Sequence, residues 1–337
     1  MRMSRFERAP LYRRIWSGEA GGWTRVAAAI LVPSEALFRL VVTLRNRMYD
    51  NYLLSVRSSE IEVISVGNIS TGGTGKTPVA AWLAARLAEA GRRPAIVHGG
   101  YGQDEPELHR RWHPAIPVVV GRDRIAAVRA AAGAGADVAI LDDGFQHRRL
   151  ARVADIVLVA AETGLANVRL LPRGPYREPA ASLGRASMVV VTRKSATLET
   201  AREVAAEAER HVGVGRVAIV SIEPAGWRGG DGAATVPDGR VLAVAALAEP
   251  EPFAENAISA GARVSGTMWF RDHHEFSVDD ARRILEASAG GPVVTTAKDA
   301  VKLSGLLPPT RYWVLEQRVV VESGGALLDG IVGGKAK

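Results

Sequence analysis

From Ile61 onward the chain alternates short β-branched runs with alanine-rich stretches whose apolar positions recur at helical spacing. The runs at 61–66, 94–97, 118–120, 138–141, 156–159 and 188–191 read as strands, and helices are expected at 78–90, 123–132 and 198–211. Strands that alternate with helices predict a mostly parallel sheet with crossover helices on its faces. A second group of strands follows at 217–222, 241–245, 293–296 and 313–316. Between them, 226–239, with its glycines, Asp231 and Pro237, reads as a turn or linker.

The pattern changes upstream of Ile61. Arg2, Arg5, Arg8, Arg13, Arg14 and Arg25 precede the apolar run 26–32, an arrangement that imitates an export signal. No small-residue cleavage site follows. Pro33, Ser34, Glu35 and Arg39 interrupt the run, whereas a spanning helix needs about 20 apolar residues. Neither export nor a membrane span is expected. After Pro33, a helix capped by Ser34 would gather Leu37, Leu40, Val41, Leu44 and Met48 on one face and keep Glu35, Arg39, Asn46 and Arg47 off it. Such a helix can lie in the plane of an anionic membrane surface or pack on the protein's own core, and the pattern alone leaves both open.

A length of 337 residues fits two α/β domains behind such a segment: 1–50 membrane-associating, 51–215 a core domain, and 216–330 a smaller domain whose last helix is expected to return to the core. The 47% apolar and 23% charged residues exclude a disordered chain. The absence of cysteine excludes disulfides, zinc–thiolate sites and a thiol nucleophile. A net charge of +7, carried almost wholly by arginine, implies a phosphate-bearing partner without choosing between nucleic acid, lipid headgroup and nucleotide.

The choice comes from one segment. Ser65 to Thr77, Ser-Val-Gly-Asn-Ile-Ser-Thr-Gly-Gly-Thr-Gly-Lys-Thr, follows a strand and opens a helix, the setting of a phosphate-binding loop. Gly72, Gly73 and Gly75 free backbone N–H groups to face an anion, Lys76 can reach the β- and γ-phosphates, and the Thr77 hydroxyl can ligate Mg²⁺. Thr71 to Thr77, with Thr74 among them, are therefore the expected ATP-binding residues. Ser70 stands where the strict pattern has its first glycine. A second station is the apolar strand 138–141 ending in Asp142 and Asp143. An acidic residue there reaches the Mg²⁺ shell across from the loop threonine, with Asp143 the expected ligand.

Gly144-Phe145-Gln146-His147 follows at once, Leu170-Leu171-Pro172-Arg173-Gly174-Pro175 lies further on, and Asp104-Glu105-Pro106 follows the second strand. With Asp272-His273-His274 and Thr296-Ala297-Lys298-Asp299, this set resembles the tetraacyldisaccharide 4′-kinases, the lipid A 4′-kinases of Gram-negative envelope synthesis. The motifs extend from about residue 50 to residue 303. The resemblance implies a P-loop NTPase-like core, a second smaller α/β domain and an N-terminal amphipathic helix on the cytoplasmic face of the inner membrane. It implies transfer of the γ-phosphate of ATP to the 4′-hydroxyl of a tetraacylated glucosamine disaccharide 1-phosphate, by a monomer that does not use nucleic acid. It also implies Asp104 as catalytic base assisted by His273. Lys76 is a further catalytic candidate, Asp142 is the next carboxylate in line because it too ends a strand beside the loop, and Glu105 is a candidate metal ligand. Arg173 and Arg177 are candidates for substrate phosphate.

Two departures stand out. The family usually carries serine-arginine-glycine-tyrosine-glycine after the second strand, whereas this chain has His98-Gly99-Gly100-Tyr101-Gly102, and the connection from Tyr101 to Asp104 is short. A rival reading, a membrane-associated ATPase switch that controls a partner protein, predicts a lysine at position 71, where this chain has threonine.

Overall fold

A computed structural model describes residue 16 and residues 22–100, 104–247 and 249–334. The N-terminal arginines up to Arg14, and Tyr101, lie outside the described residues. The chain divides into a larger and a smaller compact unit.

In the larger unit, Glu62–Asn68 (β1), Pro94–His98 (β2), Val118–Val120 (β3), Val138–Asp142 (β4), Ala154–Ala160 (β5), Met188–Arg193 (β6) and the start of Val217–Gly229 (β7) lie in the order β3-β2-β4-β1-β5-β6-β7. Every pairing in this series is parallel. Ile64 pairs with Ile140, and Val66 with Ile156. Side chains from one face, including Ile64, Ile140 and Val190, pack with Leu83 and Leu87 of the helix Lys76–Glu89. From the other face, Val97 and Leu141 pack with Val128, while Val157 and Val189 pack with Val204. Burial on both faces explains why these strands read as continuous apolar runs.

The helices of this unit are Gly22–Ile30 (α1), Val32–Asp50 (α2), Lys76–Glu89 (α3), the last turn of Asp104–Trp112 (α4), Arg124–Gly133 (α5) and Leu198–Val212 (α6). Helix α3 begins at Lys76, two residues before the expected start, because Gly75 is its N-cap. Helix α2 likewise starts before Ser34, which sits inside the first turn and donates to the Leu31 carbonyl at 2.8 Å. Pro33 causes no break there, since a first-turn proline lacks only a donor that would have gone unused. The polar side of α2 faces the unit's interior: Glu35, Asn46 and Tyr49 are buried, whereas Leu37, Leu40, Val41 and Leu44 are 55–63% exposed. Among the described residues no helix is long and apolar enough to cross a membrane.

Within β7 the chain passes into the smaller unit after Ile222. This unit adds Arg240–Ala245 (β8), Glu251–Ser259 (α7), Arg263–Trp269 (β9), Val278–Ala287 (α8), Val293–Thr296 (β10), Ala297–Leu303 (α9) and the start of Tyr312–Ser323 (β11). The strand order β11-β10-β8-β9 is again parallel. The chain then returns through β11 to the larger unit after Arg318 and closes with Gly325–Val332 (α10), whose Leu328 and Ile331 join the core around α3. Two differences from the sequence reading arise here. The expected linker 226–239 begins as strand, because β7 continues through Gly229 and Gly230 N–H donates to the Tyr312 carbonyl at 2.9 Å. Strand β9 is an addition, its burial alternating along an edge where only one face is covered.

Candidate active site

The Gly-Lys-Thr loop and the strands around it belong wholly to the larger unit. Strand β1 runs into the loop, and Gly75, at φ +80°, turns the chain into α3. Only glycine fits there, since a Cβ would come 2.3 Å from Ile222 Cδ1 as well as demanding a left-handed backbone. The loop is held from several sides. Thr71 donates its N–H (2.6 Å) and hydroxyl (2.9 Å) to the Pro175 carbonyl. Lys194 Nζ donates to the Gly73 carbonyl at 2.7 Å, and the Thr192 hydroxyl to the Thr74 carbonyl at 2.9 Å. Asn68 Nδ2 donates to Thr74 Oγ1 at 2.9 Å. These bonds hold the backbone of the loop in one shape.

Beside the loop, at the end of β4, the two aspartates have different settings. Asp142 is 1% exposed, and its Oδ2 lies 2.9 Å from Nε2 of the equally buried His109. Asp143 is partly open, with a left-handed backbone of φ +58° that non-glycine residues rarely adopt. Arg177 Nη1 donates to both of its oxygens (3.0 and 2.9 Å), and Lys76 Nζ stands 3.6 Å from Oδ1. Arg177 is therefore engaged with a carboxylate, and Arg173 with Glu35 at 3.0 Å. The hydroxyl of Thr77 and the carboxylates of Asp142 and Asp143 are hard oxygen donors, the type that suits Mg²⁺.

Asp104 and the residues around it belong to the smaller unit. Asp104 opens α4 with a side chain only 3% exposed. His273 Nδ1 stands 3.9 Å from its Oδ2, Lys298 Nζ 3.5 Å and Lys302 Nζ 3.6 Å. Glu105, next along the helix, also has Lys298 Nζ at 3.5 Å. His273 too has a left-handed backbone, φ +60°. Strained backbone gathers at functional sites because the surroundings must over-determine it. His274 is occupied elsewhere, 3.0 Å from Asp280 and stacked on Phe270 with ring centroids 4.9 Å apart. Helix α9 aims the two lysines. Thr296 caps it by accepting from Asp299 N–H at 3.1 Å, and buried Asp299 accepts from Ala246 N–H at 3.0 Å and the Thr296 hydroxyl at 2.8 Å. Burial pushes the Asp299 carboxyl up, and these bonds oppose the rise.

Sequence reasoning assigned no role to Lys298 or Lys302, although their four-residue spacing on one helix face was a usable signal. It also passed over His109 and Glu178. Local sequence does not record their defining partners, because Asp142 lies 33 residues from His109 and Asn46 lies 132 residues from Glu178.

A parallel sheet whose central strand feeds a Gly-Lys-Thr loop and a helix, with acidic residues ending the neighbouring strand, defines the class of P-loop α/β proteins. Comparison narrows this. The family model for tetraacyldisaccharide-1-P 4′-kinase matches residues 27–110 and 103–332. The chain is 40% identical to the tetraacyldisaccharide 4′-kinase of Anaeromyxobacter sp. (strain Fw109-5) over 323 residues, 86% of this chain and 87% of that one. It is 36% identical to that of Halorhodospira halophila, covering 91% and 92%. The crystal structure of the "apo" form of LpxK from Aquifex aeolicus in complex with ATP is similar with a TM-score of 0.73 at 26% identity, covering 90% of this chain and 98% of that one. The chain belongs to the tetraacyldisaccharide 4′-kinase family.

Proposed function

We propose that the protein transfers the γ-phosphate of ATP to the 4′-hydroxyl of a tetraacylated glucosamine disaccharide 1-phosphate at the cytoplasmic face of the inner membrane. The observation that carries this reading is a Lys76–Thr77 phosphate loop in a chain that also buries a carboxylate, Asp104, among one imidazole and two ammonium groups. Family membership supplies the acceptor.

The loop N–H groups and Lys76 hold the β- and γ-phosphates, so the terminal phosphoryl is oriented by fixed donors. Mg²⁺ held by Thr77, Asp143 and Asp142 would supply neutralisation of phosphate charge. Asp104 accepts the proton of the attacking hydroxyl, His273 orients that carboxylate, and Lys298 and Lys302 stand beside it. Glu105, beside it, is a further candidate for the metal. Arg173 and Arg177, each held to a carboxylate through Nη1, would offer their remaining donors to substrate phosphate. The exposed Leu37, Leu40, Val41 and Leu44 of α2 form a face suited to an anionic lipid surface.

The switch reading has less support, since Thr71 occupies the position of its lysine and is tied to Pro175. Transfer of label from ATP to the purified acylated disaccharide tests the proposal directly. ATP consumption that is indifferent to that acceptor would overturn it.

A further inference from the structure

Helix α2 carries an unbroken hydrogen-bond route into the phosphate loop. Asn46 Nδ2 donates to Glu178 Oε2 at 2.7 Å, with both side chains buried. The other oxygen of Glu178 accepts from Gln146 Nε2 at 3.0 Å, and the same amide nitrogen donates to the Asn68 carbonyl at 2.9 Å. Asn68 then reaches Thr74, inside the loop, through its own side chain at 2.9 Å. The helix also grips this route from the sides: Arg45 donates to the Gln146 carbonyl at 2.6 Å, and Arg148 donates to the Asn46 carbonyl at 3.0 Å. Arg185 donates to both oxygens of Glu178, at 2.9 and 3.2 Å, so the carboxylate stays ionised although buried. Residue 177, adjacent to Glu178, is the arginine that holds Asp143.

We infer that Asn46 is a positioning residue for nucleotide binding. It acts through Glu178, Gln146 and Asn68, the three side chains between it and Thr74. It fixes one oxygen of Glu178, which fixes the Gln146 amide, which fixes the end of β1 from which the loop springs. A buried polar network of this kind specifies one geometry only while each member keeps its partner. The helix with the exposed apolar face is by this route also part of the scaffold of the nucleotide loop.

The inference rests on the kinase reading for its purpose, but its test does not need the acceptor. The full chain in detergent is titrated with a non-hydrolysable ATP analogue, and thermal stability and acceptor kinetics are followed in parallel. Asn46→Asp sets a second carboxylate against Glu178 and should weaken analogue affinity and raise the KM for ATP by about tenfold, the factor expected from losing one charge-assisted hydrogen bond. The KM for the acceptor should stay within about twofold of the parent. The exchange Asn46→Asp with Glu178→Gln keeps the net charge and reverses the donor–acceptor sense, and it should recover most of the affinity. If Asn46→Asp does not fold, Asn46→Ala, which removes the amide donor without adding bulk, takes its place. Analogue affinity equal to the parent's in either folded variant, or a loss that the exchange leaves in full, overturns the inference. A parent chain that binds no analogue would instead remove the kinase reading itself.

Discussion

Asp104 is a carboxylate with two ammonium groups beside it, and asparagine removes its charge with little change of shape. Asp104→Asn should lower kcat by about 10²–10⁴-fold while ATP affinity changes little, because general-base catalysis contributes that range. A loss below about tenfold would transfer the role to another group. His273→Ala should cost less. If the two act as a unit, the double variant should lose far less than the product of the single effects, which single-turnover rates on all four proteins can measure. In the larger unit, Lys76→Ala should reduce transfer by orders of magnitude, since Arg177, a further cation at Asp143, is already bonded through Nη1 to both of its oxygens. Near-parental turnover in that variant would take the loop out of the chemistry.

The elements that hold these residues fail in ways that can be told apart. Helix α8 starts with a capping box in which Ser277 and Asp280 satisfy each other's backbone N–H groups, and His274 adds a third partner to the Asp280 carboxylate. Burial alone would raise that carboxyl, but the Ser277 and His274 bonds prevail and hold it at about 2, against an ordinary 3.8. A carboxyl with a depressed folded value stabilises above its unfolded value and loses that stabilisation as pH falls through the folded one. Asp280→Ala should therefore lower the melting temperature at neutral pH, with the difference from the parent shrinking between about pH 4 and pH 2. A gap that stays constant down to pH 2 would assign the loss to packing. Strand β1 has a different weakness. A Cβ on Gly67 would come 2.6 Å from Phe145 Cβ and 2.7 Å from its backbone nitrogen, so Gly67→Ala should destabilise by about 1–3 kcal/mol or more and loosen the Asp143 segment with it. Chemical denaturation of that variant, compared with Gly73→Ala, checks whether the cost is steric: Gly73 meets only the far end of Lys194, at 3.5 Å.

At the scale of the whole molecule, residues 1–50 cannot be read simply as a detachable anchor, because the polar side of α2 is built into the larger unit. Glu35 accepts from Leu170 N–H at 2.9 Å and pairs with Arg173, and Asn46 pairs with Glu178. Deleting 1–50 should release the protein from anionic vesicles. It should also lower the melting temperature and nucleotide affinity, since each buried group left without a partner costs about 1–3 kcal/mol. Sedimentation with vesicles and analogue titration of the truncated chain give the two readings separately. Retained stability and affinity would return the helix to the role of a simple anchor.

What the sequence determined by itself was everything carried by local rules. The positions of β1 to β8, β10 and β11 follow from apolar runs, and the loop from glycines and a lysine at fixed spacing. Asp142 and Asp143 follow from the strand that ends in them. Edge strand β9 escaped because only half of it is covered. Tertiary structure alone decided the partners. Asp142 was paired with His109 and Asp143 with Arg177, Lys298 and Lys302 were brought to Asp104, and Asn46 was joined to Glu178 across 132 residues. It also turned the polar side of α2 inward and left its leucines outside. The physical reason is range. Backbone conformation and burial pattern act over a few residues and leave a periodic trace, whereas a salt bridge or a buried hydrogen bond depends on where two distant segments meet, and no period records that.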